Sequence, residues 1–230
     1  MPTMKRRRGA PRKAKKAAGS ARARKPVRGL PKKTVAAPGS RGSNVKARTR
    51  QLLFVQGGGR DTHDAWDDKL VASLEQALGP GYTIRYPRMP DEADPDPATW
   101  RRTIARELRE LRDDVVLVGH SIGAAILMDY LADGTLTRRL AGVFLIATPF
   151  IGDGGWPSED LRPTTQVAVD LHDGAPLYFY QGGDDDTVPV SHIDMVAAAF
   201  PAATIRRLEG RNHQLNDDLS EVAHDITLLE

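Results

Sequence analysis

Cysteine is absent from the 230-residue chain, which excludes a disulfide framework, a thiolate nucleophile and any zinc site built on cysteine. Acidic side chains are absent from residues 1–50, where 18 of the 33 Lys and Arg lie. The remainder therefore holds 15 basic against 30 acidic side chains, so the net charge of +3 conceals a tail near +18 and a body near −15. The same first stretch has five prolines, no aromatic residue and little that is large and apolar. It cannot bury enough surface to offset its ordering entropy, so residues 1–50 are expected to form a disordered tail and residues 51–230 one domain. No apolar stretch follows the basic start and no apolar run reaches the ~18 residues of a bilayer span, which argues against a secretory signal and against a transmembrane helix. Repeated prolines and lysines spoil an amphipathic transit helix, and the cytoplasm is the compartment expected.

Cations at this density, in a stretch that holds no acidic residue, attract phosphate without reading sequence, which makes nucleic acid a candidate partner of residues 1–50. Without aromatic side chains the tail has nothing on which bases could stack. A solubilising leader, or a tail lying against the acidic body, would carry the same composition. A mobility-shift titration across salt separates these: nucleic-acid attachment predicts binding that weakens steeply with salt and vanishes when residues 1–50 are removed, whereas identical curves with and without the tail would dismiss it.

From Arg50 onward the pattern alternates. Apolar runs at Leu52–Val55, Tyr82–Tyr86, Val115–Val118, Gly142–Ala147, Leu177–Tyr180 and Thr204–Leu208 read as strands. Between and after them, Trp66, Leu70, Leu74 and Leu78 recur every four residues with Asp67, Asp68 and Glu75 between them, as in an amphipathic helix. Trp100, Ile104, Leu108 and Leu111 mark a second helix, an alanine-rich one ends near Asp133-Gly134, and two more cover Ile193–Phe200 and Leu219–Leu229. Strands separated by helices imply right-handed crossovers, hence a mostly parallel sheet flanked by helices on both faces. Ligands of such sheets sit at the carboxyl ends of the strands.

The loops at those ends carry the chemistry. Residues 117–123 read LVGHSIG, which places Ser121 directly after a buried strand and at the opening of a helix. A nucleophile elbow needs that strand, tight turn and helix, with small neighbours such as Gly119, Gly123, Ala124 and Ala125 around a strained serine. A serine capping a helix behind a glycine turn would look alike in isolation. After Leu177–Tyr180 comes QGGDDDTVPVSH, whose aspartates could orient a catalytic base or form a solvated acidic turn; alone they make no metal site. After Thr204–Leu208 comes EGRNHQLN, with His213 near the strand end. Among the other histidines, His192 reads as a helix-start residue, His172 and His224 as surface positions, His120 as a neighbour of Ser121, and His63 as a pocket-lining or exposed side chain.

Gly182, Asp185, Val188 and Pro189 fit the register G-x-x-D-x-x-V-P, and with them the chain resembles the α/β-hydrolase superfamily over residues 51–230. The resemblance implies Ser121 as nucleophile, His213 as base and Asp185 as the acid, with Asp186 as the alternative, in the chain order Ser, Asp, His. It also implies an oxyanion hole made of the N–H of Ile122 and one from Gly58 or Gly59. Gln56 stands where members of the superfamily often carry histidine, which need not matter because the donor is a main-chain group. The start at the strand before this loop resembles small members without extra amino-terminal strands.

The implied activity is hydrolysis of a carboxylic ester or related acyl bond, on a small-molecule substrate, with neither metal nor organic cofactor. The competing reading is a non-catalytic module of the same fold tethered to nucleic acid by its tail. Oligomeric state leaves no mark in the sequence. Two segments, PRMPDEADPDPATW and TPFIGDGGWPSEDLRPTTQVAVDLHDGAP, follow strands and overhang the expected site. Neither carries a long helical cap, so an open pocket is expected, with Phe150 and Trp156 as candidate apolar walls. Their acidic residues are expected to disfavour strongly anionic substrates.

Overall fold

The computed structural model describes residues 49–136, 138–167 and 174–229. The expected tail, Thr49 and Arg50 excepted, and His172 lie outside these residues.

Six strands form one sheet in the order β2-β1-β3-β4-β5-β6: β1 (Arg50–Val55), β2 (Tyr82–Arg85), β3 (Val115–His120), β4 (Leu140–Ile146), β5 (Leu177–Gly182) and β6 (Thr204–Leu208). Every pairing is parallel. The helices are α1 (Asp67–Leu78), α2 (Pro97–Arg109), α3 (Ser121–Ala132), α4 (Ser191–Ala199) and α5 (Ser220–Thr227).

Alternation along the strands sorts these helices into two layers. Leu53, Val55, Leu117, Val143 and Phe179 share a core with Trp100 and Ile104 of α2, the alanine-rich α3, and Ile193 and Val196 of α4. The intervening Leu52, Phe54, Val116, Phe144 and Tyr180 pack instead against Leu70 and Leu74 of α1 and Val222 and Ile226 of α5. Both faces of the central strands are thus covered, which is why Leu52–Val55, Val115–Val118 and Val143–Ile146 are unbroken apolar runs. Local signals fix the ends of the helices. The Asp96 side chain accepts from Thr99 N at 2.8 Å with Pro97 in the first turn of α2, and Gly79, at φ +66, closes α1.

Two residues at the start of α1 sit otherwise than expected. Trp66 precedes the helix in a wide turn, Thr62–Trp66, and is 50% exposed. Asp67, grouped by its charge with Asp68 and Glu75 between the apolar positions, is fully buried. Among the described residues no helix is long and apolar enough to cross a membrane.

Candidate active site

The loops after β1, β3, β5 and β6 meet at one edge of the sheet, as the crossovers require. Ser121 is the first residue of α3 and has φ +53, left-handed backbone that a non-glycine residue enters only at a cost. The glycines around it make room for that turn. A Cβ on Gly119 would stand 2.8 Å from Cα of Ala124, and one on Gly123 would stand 1.9 Å from the carbonyl oxygen of Gln56. Gly123→Ala therefore pushes α3 off the end of β1. We expect it to cost about 1–3 kcal/mol or more, read as a lowered denaturation midpoint at unchanged m-value.

Glycine plays the same part at the far side of the site. A Cβ on Gly182 would lie 2.3 Å from the carbonyl oxygen of Arg211 and 2.5 Å from that of Asn212. Its absence lets the loop after β6 lie against the end of β5. That loop is locally braced: Asn212 Oδ1 accepts from Asn216 N at 2.8 Å and from Gln214 N at 3.1 Å, while Arg211 reaches Leu215 O and the Asp218 carboxylate. Leu215, Asn216 and Asp217 all have positive φ.

The result brings three of the sequence-predicted side chains together. Ser121 Oγ lies 3.0 Å from His213 Nε2, and His213 Nδ1 lies 2.9 Å from Asp185 Oδ2 and 3.0 Å from Oδ1. All three residues are buried. The Asp185 carboxylate also accepts from the main-chain N–H of Val188 at 2.8 Å and of Thr187 at 2.9 Å, and from Gln181 Nε2 at 2.7 Å. Burial pushes its pKa up, but the hydrogen bond and charge of His213 and the two N–H donors outweigh this and hold the carboxyl below the ordinary aspartate value. Asp186 is exposed, and its carboxylate accepts from the Thr187 hydroxyl at 3.3 Å rather than facing His213.

Gly58 stands against Ile122: a Cβ on Gly58 would come within 2.8 Å of Ile122 Cγ2. The main-chain N–H groups of this loop divide cleanly. That of Gly57 goes to Asp67 Oδ2 at 2.7 Å and that of Gly59 to the Glu92 carbonyl, whereas no acceptor among the described residues takes that of Gly58. Gly58 is thus the loop residue with an N–H to offer, and Ile122 lies in the first turn of α3, where N–H groups have no intrahelical partner. Gln56 fixes the loop from beneath: Oε1 accepts from Met89 N at 3.0 Å and Nε2 donates to Glu92 Oε2 at 2.7 Å.

A cavity of about 730 Å³ opens over these groups, with Ser121 and His213 in its floor and Ile122, Pro95, Trp66 and Trp156 among its walls. Phe150 does not line it; the ring is buried in the core while its N–H donates to His192 Nδ1. Burial lowers the pKa of His192, in keeping with a neutral ring that accepts this bond. The two overhanging segments reach the cavity through Ala93, Pro95 and Trp156, and none of their acidic side chains among the described residues lines it. Glu92 is engaged by Gln56, His63 N and Arg88, Asp96 caps α2, and the carboxylate in the lining is Asp186, facing a pocket that also holds Arg60. His63 neither lines the cavity nor stands free, since its ring stacks on Tyr86 at 4.2 Å between centroids.

A model of the alpha/beta hydrolase family matches residues 52–224. The chain belongs to the alpha/beta hydrolase family. Among solved structures, the ydeN gene product of B. subtilis is similar over 78% of this chain and 97% of its own, with 21% identity and a TM-score of 0.59. XC6422 from Xanthomonas campestris, described as an a/b serine hydrolase without lid, is similar over 80% and 82%, at 18% identity and a TM-score of 0.54. Est1E from Butyrivibrio proteoclasticus is similar over 80% and 88%, at 13% identity and a TM-score of 0.58. No match is found among curated protein sequences.

Two hydrolase-fold residues in this site escaped sequence reasoning. Asp67 precedes Leu70, Val71 and Leu74 by three, four and seven positions, the spacing of one helix face, so the periodicity already assigned it to the buried side. Gln181 carried no such signal, because only the approach of the 185–188 turn gives its amide a partner.

Proposed function

We propose that this chain is a serine hydrolase that cleaves carboxylic esters or closely related acyl bonds. The observation that carries the reading is the unbroken hydrogen-bonded line from Ser121 Oγ through His213 to Asp185, with 3.0 Å and 2.9 Å steps, at the floor of an open cavity.

In this reading Ser121 Oγ attacks the acyl carbonyl as its proton passes to His213 Nε2. The ionised Asp185 keeps the proton on Nδ1 of His213, so that Nε2 faces the serine as the lone-pair nitrogen, and it stabilises the imidazolium that forms. The N–H groups of Gly58 and Ile122 receive the negative charge on the tetrahedral oxygen, each donor being worth roughly 10² to 10³ in turnover. The imidazolium then protonates the leaving alcohol. Water, deprotonated by the same ring, attacks the acyl-enzyme and releases the acid, which restores Ser121. No metal or organic cofactor enters this scheme.

The walls favour an apolar group of moderate size. Ile122, Pro95, Trp66 and Trp156 offer hydrocarbon and aromatic surface, and no segment described over the cavity forms a helical cap. The ydeN product, XC6422 and Est1E support the fold only; ferulic acid bound to Est1E makes an aromatic acid a sensible arm of a substrate panel. Chromogenic esters of rising acyl length, beside hydroxycinnamate esters, test the reading together with a fluorophosphonate probe. We expect hydrolysis and stoichiometric labelling mapped by mass spectrometry to Ser121. A folded protein that neither turns over any ester nor takes the label would favour the non-catalytic module.

A further inference from the structure

His120 has no part in that scheme, yet it is buried at the centre of the site with both ring nitrogens engaged. Nδ1 lies 2.9 Å from Asp67 Oδ1 and 3.0 Å from Oδ2, and Nε2 lies 3.1 Å from the main-chain carbonyl oxygen of His213. A carbonyl oxygen only accepts, so Nε2 must carry a hydrogen. Asp67 Oδ2 already accepts from Gly57 N, and a carboxylate beside it asks Nδ1 for a second hydrogen. The arrangement is that of an imidazolium paired with a carboxylate, both removed from water.

This pair is bonded both to the loop that carries Gly58 and to the backbone of the base. Through Asp67 it holds the N–H of Gly57, the residue next to Gly58; through Nε2 it holds the backbone of His213; and His120 is itself the neighbour of Ser121. The packing is equally direct, since a Cβ on Gly57 would stand 3.0 Å from His120 Nδ1 and 3.2 Å from Ser121 Cβ. The rings of His120 and His213 are 4.9 Å apart at their centroids.

We propose that His120, as an imidazolium clamped between Asp67 and the His213 carbonyl, is a positioning residue that fixes the oxyanion loop and the base in register with Ser121. The inference rests on the serine-hydrolase reading. A buried ion pair is weak evidence of stability, since apolar replacements often serve as well, which leaves geometry as the reason to build one here. Burial pulls the pKa of His120 down, but the charge and hydrogen bond of Asp67, the His213 carbonyl and the more distant Asp185 outweigh it and leave the pKa raised.

Two measurements test this. In the full-length protein labelled with ¹⁵N-histidine, both nitrogens of His120, assigned by comparison with His120→Gln, are expected to stay protonated from about pH 6 to pH 8, across the range in which an ordinary imidazole loses its proton. A nitrogen at the deprotonated shift within that range would overturn the ion pair, whatever the enzyme does. Kinetics test the consequence. Because removing one partner strands a buried charge, the neutral pair Asp67→Asn/His120→Gln is compared with wild type, its fold checked by circular dichroism. We expect kcat and the rate of fluorophosphonate labelling to fall together by on the order of 10²-fold, as for a base or donor displaced by about an ångström, with KM little changed. A folded double variant that keeps wild-type kcat would reduce His120 to a structural role. Absence of labelling in the wild type would instead reject the hydrolase reading itself, leaving the ¹⁵N result to stand or fall separately.

Discussion

Ser121→Ala is expected to remove about six orders of magnitude from turnover, as loss of a nucleophile does where serine, histidine and carboxylate act as a unit. Fluorophosphonate labelling is expected to disappear with it. The fold should survive, because the hydroxyl's hydrogen bond among the described residues is the one to His213 and the side chain is small. Substitution here has a second, thermodynamic readout. Serine at φ +53 carries backbone strain that alanine shares and glycine does not. Ser121→Gly should therefore be as inactive as the alanine variant yet melt above wild type, the increment being of order 1 kcal/mol. Such an order of melting temperatures would tie the strain to the nucleophile's function. Undiminished ester hydrolysis by Ser121→Ala would end the proposal.

The fold was legible because its evidence is periodic. Strands buried on both faces read as uninterrupted runs such as Val115–Val118, and helices covering them repeat at three and four residues, so a few side chains misread do not disturb the architecture. Trp66 shows the limit. Its spacing from Leu70 and Leu74 matches a helix face, but the chain at Thr62–Trp66 winds more loosely than an α-helix and turns the indole outward to the cavity wall. Spacing carries direction only while the winding is regular.

The candidate site was legible in a different way. Positions after strand ends nominated Ser121, His213 and a run of three aspartates, and the resemblance's register chose Asp185 among these, yet nothing in the sequence measures the approach of the loops that bear them. That approach is set by absences of a side chain. Gly182 was noticed as part of a motif, and the reason for it emerges only from the two carbonyl oxygens that its Cβ would strike. Asp67, grouped with polar neighbours by its charge, turns out to face inward, paired to His120 and Gly57. A charged side chain on a helix is assigned to water by default, and only a buried partner reverses that; the partner, His120, lies 53 residues away along the chain.

Asp185→Asn is the second large effect, and its mechanism follows from the hydrogen-bond directions. In wild type both carboxylate oxygens accept: Oδ1 from the N–H groups of Thr187 and Val188, Oδ2 from Gln181 Nε2, and both from His213 Nδ1. An asparagine must keep its oxygen toward the two main-chain donors, which cannot turn away. Its NH₂ then occupies the Oδ2 position and meets two donors, Gln181 Nε2 and Nδ1–H of His213. Gln181 can relieve its share by flipping its amide, at the loss of its 3.2 Å bond to the Val188 carbonyl. His213 can relieve its own only by moving the proton to Nε2, which then points a hydrogen instead of a lone pair at Ser121. We expect kcat to fall by about 10⁴, the loss that an imidazole held in the wrong tautomer produces, with KM and the circular dichroism spectrum close to wild type. Asp186→Asn, altering an exposed carboxylate at the cavity rim, should leave kcat within a few-fold. The reverse ranking of the two variants would mean that the loop after β5 presents a different carboxylate to the base in solution, and the proposed line of proton transfer would have to be redrawn through Asp186.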